Sequence, residues 1–202
     1  MTSMERLRAS GGAGKLMALD WSARYMDNRV SQWKMKGIEE VNRGPVVICV
    51  DVSGSMIGKD NTIAKALTVS ACKVARKDER PVRVVLFSSH AETFDSPDYN
   101  DSDAYVKFLD TVATRFSGGG TNFDEALTKA LPAFETGNDY EDADLIFITD
   151  GCARISEQVE EAVRKSKEEN EWTMYAIFTS GGYDDTLTDI ADKKWTVNSM
   201  NE

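Results

Sequence analysis

Two kinds of hydrophobic pattern alternate along this chain from residue 45 onward. Short runs rich in Val, Ile, Leu and Phe are separated by segments whose apolar residues repeat at helical spacing. The strand-like runs are Val46–Val50, Val82–Phe87, Leu145–Thr149 and Trp172–Phe178. Continuously apolar strands that alternate with helices are typical of a parallel sheet covered on both faces. The pattern therefore predicts an α/β fold with right-handed crossovers.

The segments between these runs predict crossover helices. Apolar residues occupy a single helical stripe within residues 63–74, 104–112 and 155–163. A further helix is predicted over Asn122–Phe134, with Thr121 as a candidate N-cap. Each stripe would pack on one face of the sheet, so helices are expected on both faces.

One strand is predicted to break the parallel pattern. The run Arg83–Phe87 is followed by a second short run, Ala91–Phe94, and only Ser88, Ser89 and His90 separate them. Two short runs joined by a few polar residues can form a hairpin. The sheet is therefore expected to be mostly parallel, with one short antiparallel edge strand.

Residues 1–44 differ from the rest and are predicted to be an N-terminal appendage, with the main domain at 45–202. The segment has mixed polarity, and its weak periodicity is compatible with a helix over Leu16–Met26 and an edge strand over Val30–Met35. A chain of 202 residues is long enough for one core of ordinary size and too short for two full domains.

The charge and the cysteine content limit which partners and which cellular compartment are expected. The chain has 24 Lys and Arg against 34 Asp and Glu, a formal net charge of −10, so its field repels nucleic acid and anionic membranes. The three cysteines are Cys49, Cys72 and Cys152; they form no CxxC pair, and no run of ~18 apolar residues is present. We therefore expect a protein of a reducing, cytoplasmic compartment that binds neither nucleic acid nor membrane.

Three polar segments are predicted to meet at one edge of the sheet. One follows the first strand, one follows the strand Leu145–Thr149, and one is the loop Gly118–Gly120 with the residue after it. The carboxyl ends of parallel strands lie at the same edge of a sheet, where ligands of open α/β folds bind. The candidate site residues are Asp51, Ser53, Ser55, Thr121 and Asp150.

This set of oxygen donors indicates a hard divalent cation. It contains two carboxylates and three hydroxyls with no nearby cluster of Cys or His, whereas zinc and copper favour thiolate or imidazole ligands. Mg²⁺ is the first expectation because it keeps several waters and needs only one or two protein carboxylates, while Ca²⁺ usually gathers about 6–8 oxygens. Mn²⁺ and Ca²⁺ are the alternatives. The two aspartates would balance the ion formally and leave a position for an incoming carboxylate.

The same residues resemble the metal-ion-dependent adhesion site (MIDAS) of von Willebrand factor A (VWA) domains. The resemblance to the whole domain covers residues 45–198. The resemblance implies a Rossmann-like VWA fold, three hydroxyls that bind the metal, two aspartates that bind it directly or through water, and an Asp or Glu of a partner that completes its coordination. The segments that carry the resemblance are Asp51-Val52-Ser53-Gly54-Ser55, Gly120-Thr121 and Thr149-Asp150-Gly151.

Within that family, the Ser-Gly-Ser-Met form of the first loop and the segment 115–121 look most like VWA proteins that work with MoxR-type AAA+ ATPases, such as the C-terminal domain of the ViaA protein. This implies a non-enzymatic, Mg²⁺-dependent protein-interaction module, an adaptor for such an ATPase. Two alternatives stay open: a structural subunit of a larger assembly or phage particle, and an aspartate-dependent phosphatase. The phosphatase would need a second carboxylate two residues after Asp51, where Ser53 stands.

Overall fold

The structure is a computed structural model that describes residues 44–135, 137–140, 143–151, 153–180 and 185–197. These residues belong to one compact unit, Asn42–Glu202. The predicted helix Leu16–Met26 and edge strand Val30–Met35 lie outside the described residues, and the domain boundary at residue 44 stays a prediction. Within the described ranges, no helix is both long enough and apolar enough to cross a bilayer.

Strands and helices alternate along the described residues as the hydrophobic pattern predicts. The strands are β1 (Val46–Asp51), β2 (Val82–Phe87), β3 (Ala91–Asp95), β4 (Asp144–Thr149), β5 (Met174–Phe178) and β6 (Lys193–Thr196). The helices are α1 (Lys59–Lys77), α2 (Ser102–Thr114), α3 (Phe123–Ala130), α4 (Glu157–Asn170) and α5 (Asp185–Ile190), with short 3₁₀ turns at Gly54–Met56 and Leu131–Phe134.

The strands form one sheet in the order β3-β2-β1-β4-β5-β6. All neighbours are parallel except β2 and β3, which are antiparallel with Phe87 opposite Ala91. The predicted antiparallel edge strand is therefore confirmed. The central strand β1 is buried along its whole length, whereas β6, at the other edge, is largely exposed and polar. An edge strand has one neighbour and needs no continuous apolar run, which is why the pattern did not predict β6.

Helices cover both faces of the sheet, as expected for this fold class. Val47 and Cys49 of β1 pack on the face that carries α3, α4 and α5, whereas Ile48 and Val50 pack on the face that carries α1 and α2. The alternation follows from the two-residue period of a strand. The sheet is thus clamped between two cores, which fixes the positions of its strand ends.

Two predicted bounds are wrong in detail. The helix predicted over Asn122–Phe134 ends at Ala130, and the chain continues as a 3₁₀ turn with Pro132 near its start. Proline has no N–H to donate and crowds the preceding turn, so the α-helix stops there. The strand β5 begins at Met174 rather than at Trp172, whose indole is buried in the core instead.

Candidate metal centre

The two candidate aspartates lie side by side at the carboxyl edge of the sheet. Asp51 is the last residue of β1, and Asp150 directly follows the neighbouring strand β4. The chain leaves β1 for β2 on one side while β4 lies on the other, so this point of the edge is where open α/β sheets form a ligand crevice. Asp51 is fully buried and Asp150 is 6% exposed. The sequence predicts that the two carboxylates meet here, and the structure places them so.

Hydrogen bonds fix both oxygens of the Asp51 carboxylate. The backbone N–H of Ser53 donates to Oδ1 at 2.9 Å, and the hydroxyl of Thr149 donates to Oδ2 at 2.7 Å. The Thr149 hydroxyl accepts in turn from the backbone N–H of Gly151 at 3.1 Å. Thr149 is not among the predicted site residues, although it belongs to the segment Thr149-Asp150-Gly151 that carries the family resemblance. It orients Asp51 and joins the two aspartate-bearing segments.

The carboxylates of Asp51 and Asp150 would be stabilised by a nearby positive charge. Burial raises the pKa of Asp51, the hydrogen bonds from Ser53 and Thr149 oppose that effect, and the charge of Asp150 raises the pKa further. Desolvation and a neighbouring like charge both disfavour an ionised carboxylate. A divalent cation beside the pair would offset both effects.

One carboxylate oxygen of Asp150 is suited to bind a cation. Its Oδ1 atom is buried and accepts no hydrogen bond from the described residues. A buried carboxylate oxygen without a partner is costly, and native structures normally satisfy such atoms with protein, water or an ion. This oxygen lies on the carboxylate whose charge acts on Asp51, so it is suited to metal binding.

The two serines of the first loop bring their hydroxyls together. Ser53 Oγ and Ser55 Oγ are 3.0 Å apart; Ser53 is buried and Ser55 is exposed. The 3₁₀ turn Gly54–Met56 produces this arrangement, and the fully buried Met56 anchors the turn. The Met56 sulfur accepts a weak hydrogen bond from the hydroxyl of Thr179 at 3.9 Å. One hydroxyl thus lies at the bottom of the crevice and the other at its rim.

The glycine-rich loop lies directly against this first loop. The N–H of Gly54 donates to the carbonyl of Gly119 at 2.9 Å, and the N–H of Gly118 donates to the carbonyl of Val52 at 3.0 Å. Gly118 and Gly119 have φ of +64° and +84°, which L-residues rarely adopt. A Cβ on Gly54 would lie 3.2 Å from the Gly119 carbonyl oxygen. Glycine is required at these positions for the two loops to approach.

Thr121 follows the glycine-rich loop and is not the N-cap of α3. The side chain of Asn122 accepts from the N–H of Glu125 at 3.1 Å and is the N-cap instead. The backbone N–H of Asn122 donates to the carbonyl of Ser88 at 2.8 Å, which holds this part of the loop at the end of β2. The half-buried Thr121 is therefore left free of capping, at the same edge as the other candidates.

The donor set fits a hard divalent cation. Among the described residues, no group of three or more His, Cys, Asp or Glu side chains could hold a metal ion, so a metal here would use hydroxyls together with the two carboxylates. Such oxygen ligands suit Mg²⁺, Mn²⁺ or Ca²⁺. The residues that would hold the ion are Asp51, Ser53, Ser55, Thr121 and Asp150.

The chain is similar in sequence to proteins that are longer than it is. An uncharacterised protein of Methanocaldococcus jannaschii is 25% identical over 179 residues, which cover 89% of this chain and 40% of that protein. Regulatory protein ViaA of Proteus mirabilis is 30% identical over 158 residues, which cover 78% of this chain and 32% of ViaA. The chain spans less than half the length of the curated relatives it matches.

The fold recurs in solved structures of VWA domains. Proximal thread matrix protein 1 from the mussel byssus, in a structure with a zinc-occupied MIDAS motif, superposes with a TM-score of 0.60 at 21% identity, over 78% of this chain and 44% of that one. At this identity the similarity shows the fold alone. The family model of the von Willebrand factor type A domain matches residues 46–153, more than half of the chain. The chain therefore belongs to the von Willebrand factor type A domain family.

Proposed function

We propose that this protein is a non-enzymatic protein-interaction module whose metal centre holds Mg²⁺ and binds an acidic side chain of a partner protein. The observation that carries the proposal is the buried Oδ1 of Asp150, which has no hydrogen-bond partner among the described residues, beside Asp51, whose pKa is raised by burial and by the charge of Asp150. Two buried carboxylates in this state are suited to bind a divalent cation. Mn²⁺ and Ca²⁺ would be accepted by the same oxygens.

The charge balance of the centre favours a carboxylate as ligand. Two aspartates neutralise a divalent ion formally, and the hydroxyls of Ser53, Ser55 and Thr121 add no charge. When bound, the metal would supply an electrophilic position for one further oxygen ligand. Asp51 and Ser53, which are fully buried, would hold the ion on its inner side.

Exposed apolar side chains at the rim support a protein as the partner. Ile57, directly after the 3₁₀ turn, is 70% exposed, and Phe116, just before the glycine-rich loop, is 41% exposed. The Phe116 ring lies over Gly118, where a Cβ would be 3.6 Å from Phe116 Cε1. Each residue belongs to a loop that carries candidate ligands. Aromatic residues such as Phe116 are enriched in protein interfaces, and a small anion would make no contact with apolar side chains of this size.

The proposed identity of the partner is supported by similarity rather than by the site. The relative ViaA is a regulatory protein, and the first-loop pattern is similar to VWA proteins that work with AAA+ ATPases. We therefore propose a MoxR-type AAA+ ATPase of the cytoplasm as the partner, with this domain acting as its adaptor.

The two alternatives make different demands on the site. A phosphatase would need a general acid two residues after Asp51, and the residue there is Ser53, whose hydroxyl lies against Ser55. A structural subunit would use the same metal for lasting incorporation into an assembly. Release of phosphate from a generic phosphomonoester, lost in Asp51→Asn, would support the first alternative, and stoichiometric, long-lived incorporation would support the second.

The experiment that tests the proposal is affinity capture from lysate of the native source, with Mg²⁺ or with EDTA, followed by protein identification. Wild type is compared with Asp51→Ala and with the control Asp144→Ala, which removes a half-buried aspartate from the opposite end of β4. A partner retained by wild type and the control with Mg²⁺, and lost with EDTA or in Asp51→Ala, supports the proposal. Identical capture in every condition contradicts it.

A further inference from the structure

Lys65 is a buried cation in α1, the helix that follows the first loop of the metal centre. Its side chain is only 7% exposed. Its ammonium donates to the backbone carbonyl of Val112 at 2.8 Å and to that of Arg115. Within the described residues these hydrogen-bond partners are two backbone carbonyls rather than a carboxylate. Burying an ammonium without a counter-charge is unfavourable, so its place in the core calls for a physical reason.

The two carbonyls lie at the C-terminal end of α2. Val112 is in the last turn of that helix, and Arg115 is its C-cap residue. The last carbonyls of a helix have no donor within the helix and carry the negative end of its dipole. The Lys65 ammonium supplies donors to both groups and a charge of the favourable sign. It thereby fixes the point at which α2 stops.

The loop that reaches Thr121 begins at this point. The Arg115 guanidinium donates to the Glu92 carboxylate at 2.7 and 3.0 Å, which holds the outer side of the loop to β3. Farther along, the N–H of Gly118 donates to the Val52 carbonyl at 3.0 Å. Lys65 is the buried charged residue in this series of contacts. It connects the helix after the first loop to the chain that presents Thr121.

We infer that Lys65 is a positioning residue for the metal centre, which holds the loop bearing Thr121 in register with the loop bearing Asp51. The inference rests on the proposed function, because it requires Thr121 to bind the metal. A lysine suits this role because its flexible stem is apolar and its ammonium carries three donors, enough for two carbonyls in different directions. Methionine or leucine at this position would fill the volume and leave the carbonyls of Val112 and Arg115 without this donor.

The test measures binding of Mn²⁺ alone by calorimetry, with the full chain at neutral pH. Lys65→Met keeps the volume and removes the donors; we expect the affinity for Mn²⁺ to fall roughly tenfold, as is usual when the groups that orient metal ligands are removed. Lys73→Met, an exposed residue of the same helix, is the control and should bind as wild type does. Lys65→Leu, which also removes the donors, is the second variant, in case the methionine variant does not fold.

A double-mutant cycle with Thr121→Ala separates positioning from a general loss of stability. If Lys65 acts through Thr121, Lys65→Met should change the Mn²⁺ affinity by less than about twofold in the Thr121→Ala background, the usual precision of such cycles. If Lys65→Met lowers the Mn²⁺ affinity by the same factor in the Thr121→Ala background as in wild type, the two residues act independently and the inference is wrong.

The failures are distinguishable. Absence of Mn²⁺ binding by wild type would overturn the proposed function together with this inference. Wild-type affinity in a folded Lys65→Met or Lys65→Leu would overturn the inference alone. If neither variant folds, Lys65 serves the fold as a whole and the inference is also wrong.

Discussion

Replacing Asp51 by asparagine removes one negative charge from the candidate metal centre with almost no change in volume. Without metal, two effects oppose each other. The variant loses the hydrogen bond from the Thr149 hydroxyl to Oδ2, which costs about 1.5–3 kcal/mol for a bond to a charged group, and it gains a similar amount from removal of a buried carboxylate beside Asp150. We therefore expect the free energy of unfolding without metal to lie within about 1 kcal/mol of wild type.

The response to Mg²⁺ is where the two proteins should differ. A ligand that binds only the folded state at about 100 times its Kd stabilises the fold by about 2.7 kcal/mol. For a domain of this size that corresponds to a rise in Tm of roughly 5–11 °C. Wild type should show this rise, and Asp51→Asn should show almost none, because it lacks one of the two charges that bind the ion.

The pH dependence of the metal-free proteins gives a second reading of the same change. The folded-state pKa of Asp51 is raised, chiefly by burial, so the residue contributes stability at low pH that is lost as pH rises through its folded-state pKa. Asparagine does not titrate. In EDTA, the unfolding free energy of Asp51→Asn should therefore gain on that of wild type as pH rises above the ordinary aspartate pKa of about 3.9.

The assay is thermal unfolding followed by circular dichroism, with EDTA or saturating Mg²⁺. The control is Asp144→Asn, because burial also raises the pKa of Asp144 while the residue lies at the other end of β4. The control should keep the full Mg²⁺ response. A normal Mg²⁺ response in Asp51→Asn would show that Asp51 does not bind the ion. Loss of the response in Asp144→Asn would show that the response does not depend on this site.

Three further predictions concern the rim, the support of the carboxylate and the buried lysine. The double change Ile57→Ser and Phe116→Ser should weaken partner capture while the Mg²⁺-dependent rise in Tm stays as in wild type. The control is Val106→Ser, which changes another exposed apolar residue, 62% exposed. An equal loss of capture in the control would count against a role for the apolar rim. Thr149→Val should lower the unfolding free energy in urea by about 1–3 kcal/mol and the Mg²⁺ affinity by roughly tenfold, since Asp51 loses its orienting donor; unchanged affinity in calorimetry would contradict that role. Burial lowers the pKa of Lys65 to about 8, against about 10.4 in the unfolded chain. Between these two values the folded state has lost the proton and the unfolded state keeps it, so the unfolding free energy of wild type should rise with pH relative to that of Lys65→Met. Parallel pH profiles of the two proteins in urea titrations would exclude this effect.

The hydrophobic pattern predicts the centre of the sheet better than its edges. The strands β1, β2 and β4 are apolar runs because both of their faces are covered, and each lies within one residue of its predicted bounds. The strand β6 pairs on one side only and contains Lys193 and Lys194, so its sequence carries no comparable signal. The periodicity of the chain reports burial, so the edge strand β3 could be predicted only from its hairpin spacing to β2, and β6 has no such spacing signal.

The candidate ligands could be predicted because they follow strand ends, whereas their supports could not. The roles of Thr149 and Lys65 depend on partners far away in sequence, at separations of 98 residues to Asp51 and 47 residues to Val112. A threonine in a strand and a lysine in an amphipathic helix are otherwise ordinary. The choice of Asn122 over the adjacent threonine as N-cap has the same origin, since both residue types cap helices and the contact with Ser88 sets the register.

Anomalous diffraction from crystals soaked in Mn²⁺ would show directly whether the five oxygen-bearing residues form one divalent-cation site. We expect a single strong anomalous peak between Asp51, Ser53, Ser55, Thr121 and Asp150, and no peak there in crystals of Asp51→Asn. A peak elsewhere with none at this edge of the sheet, or a peak that persists in Asp51→Asn, would mean that these residues do not form such a site.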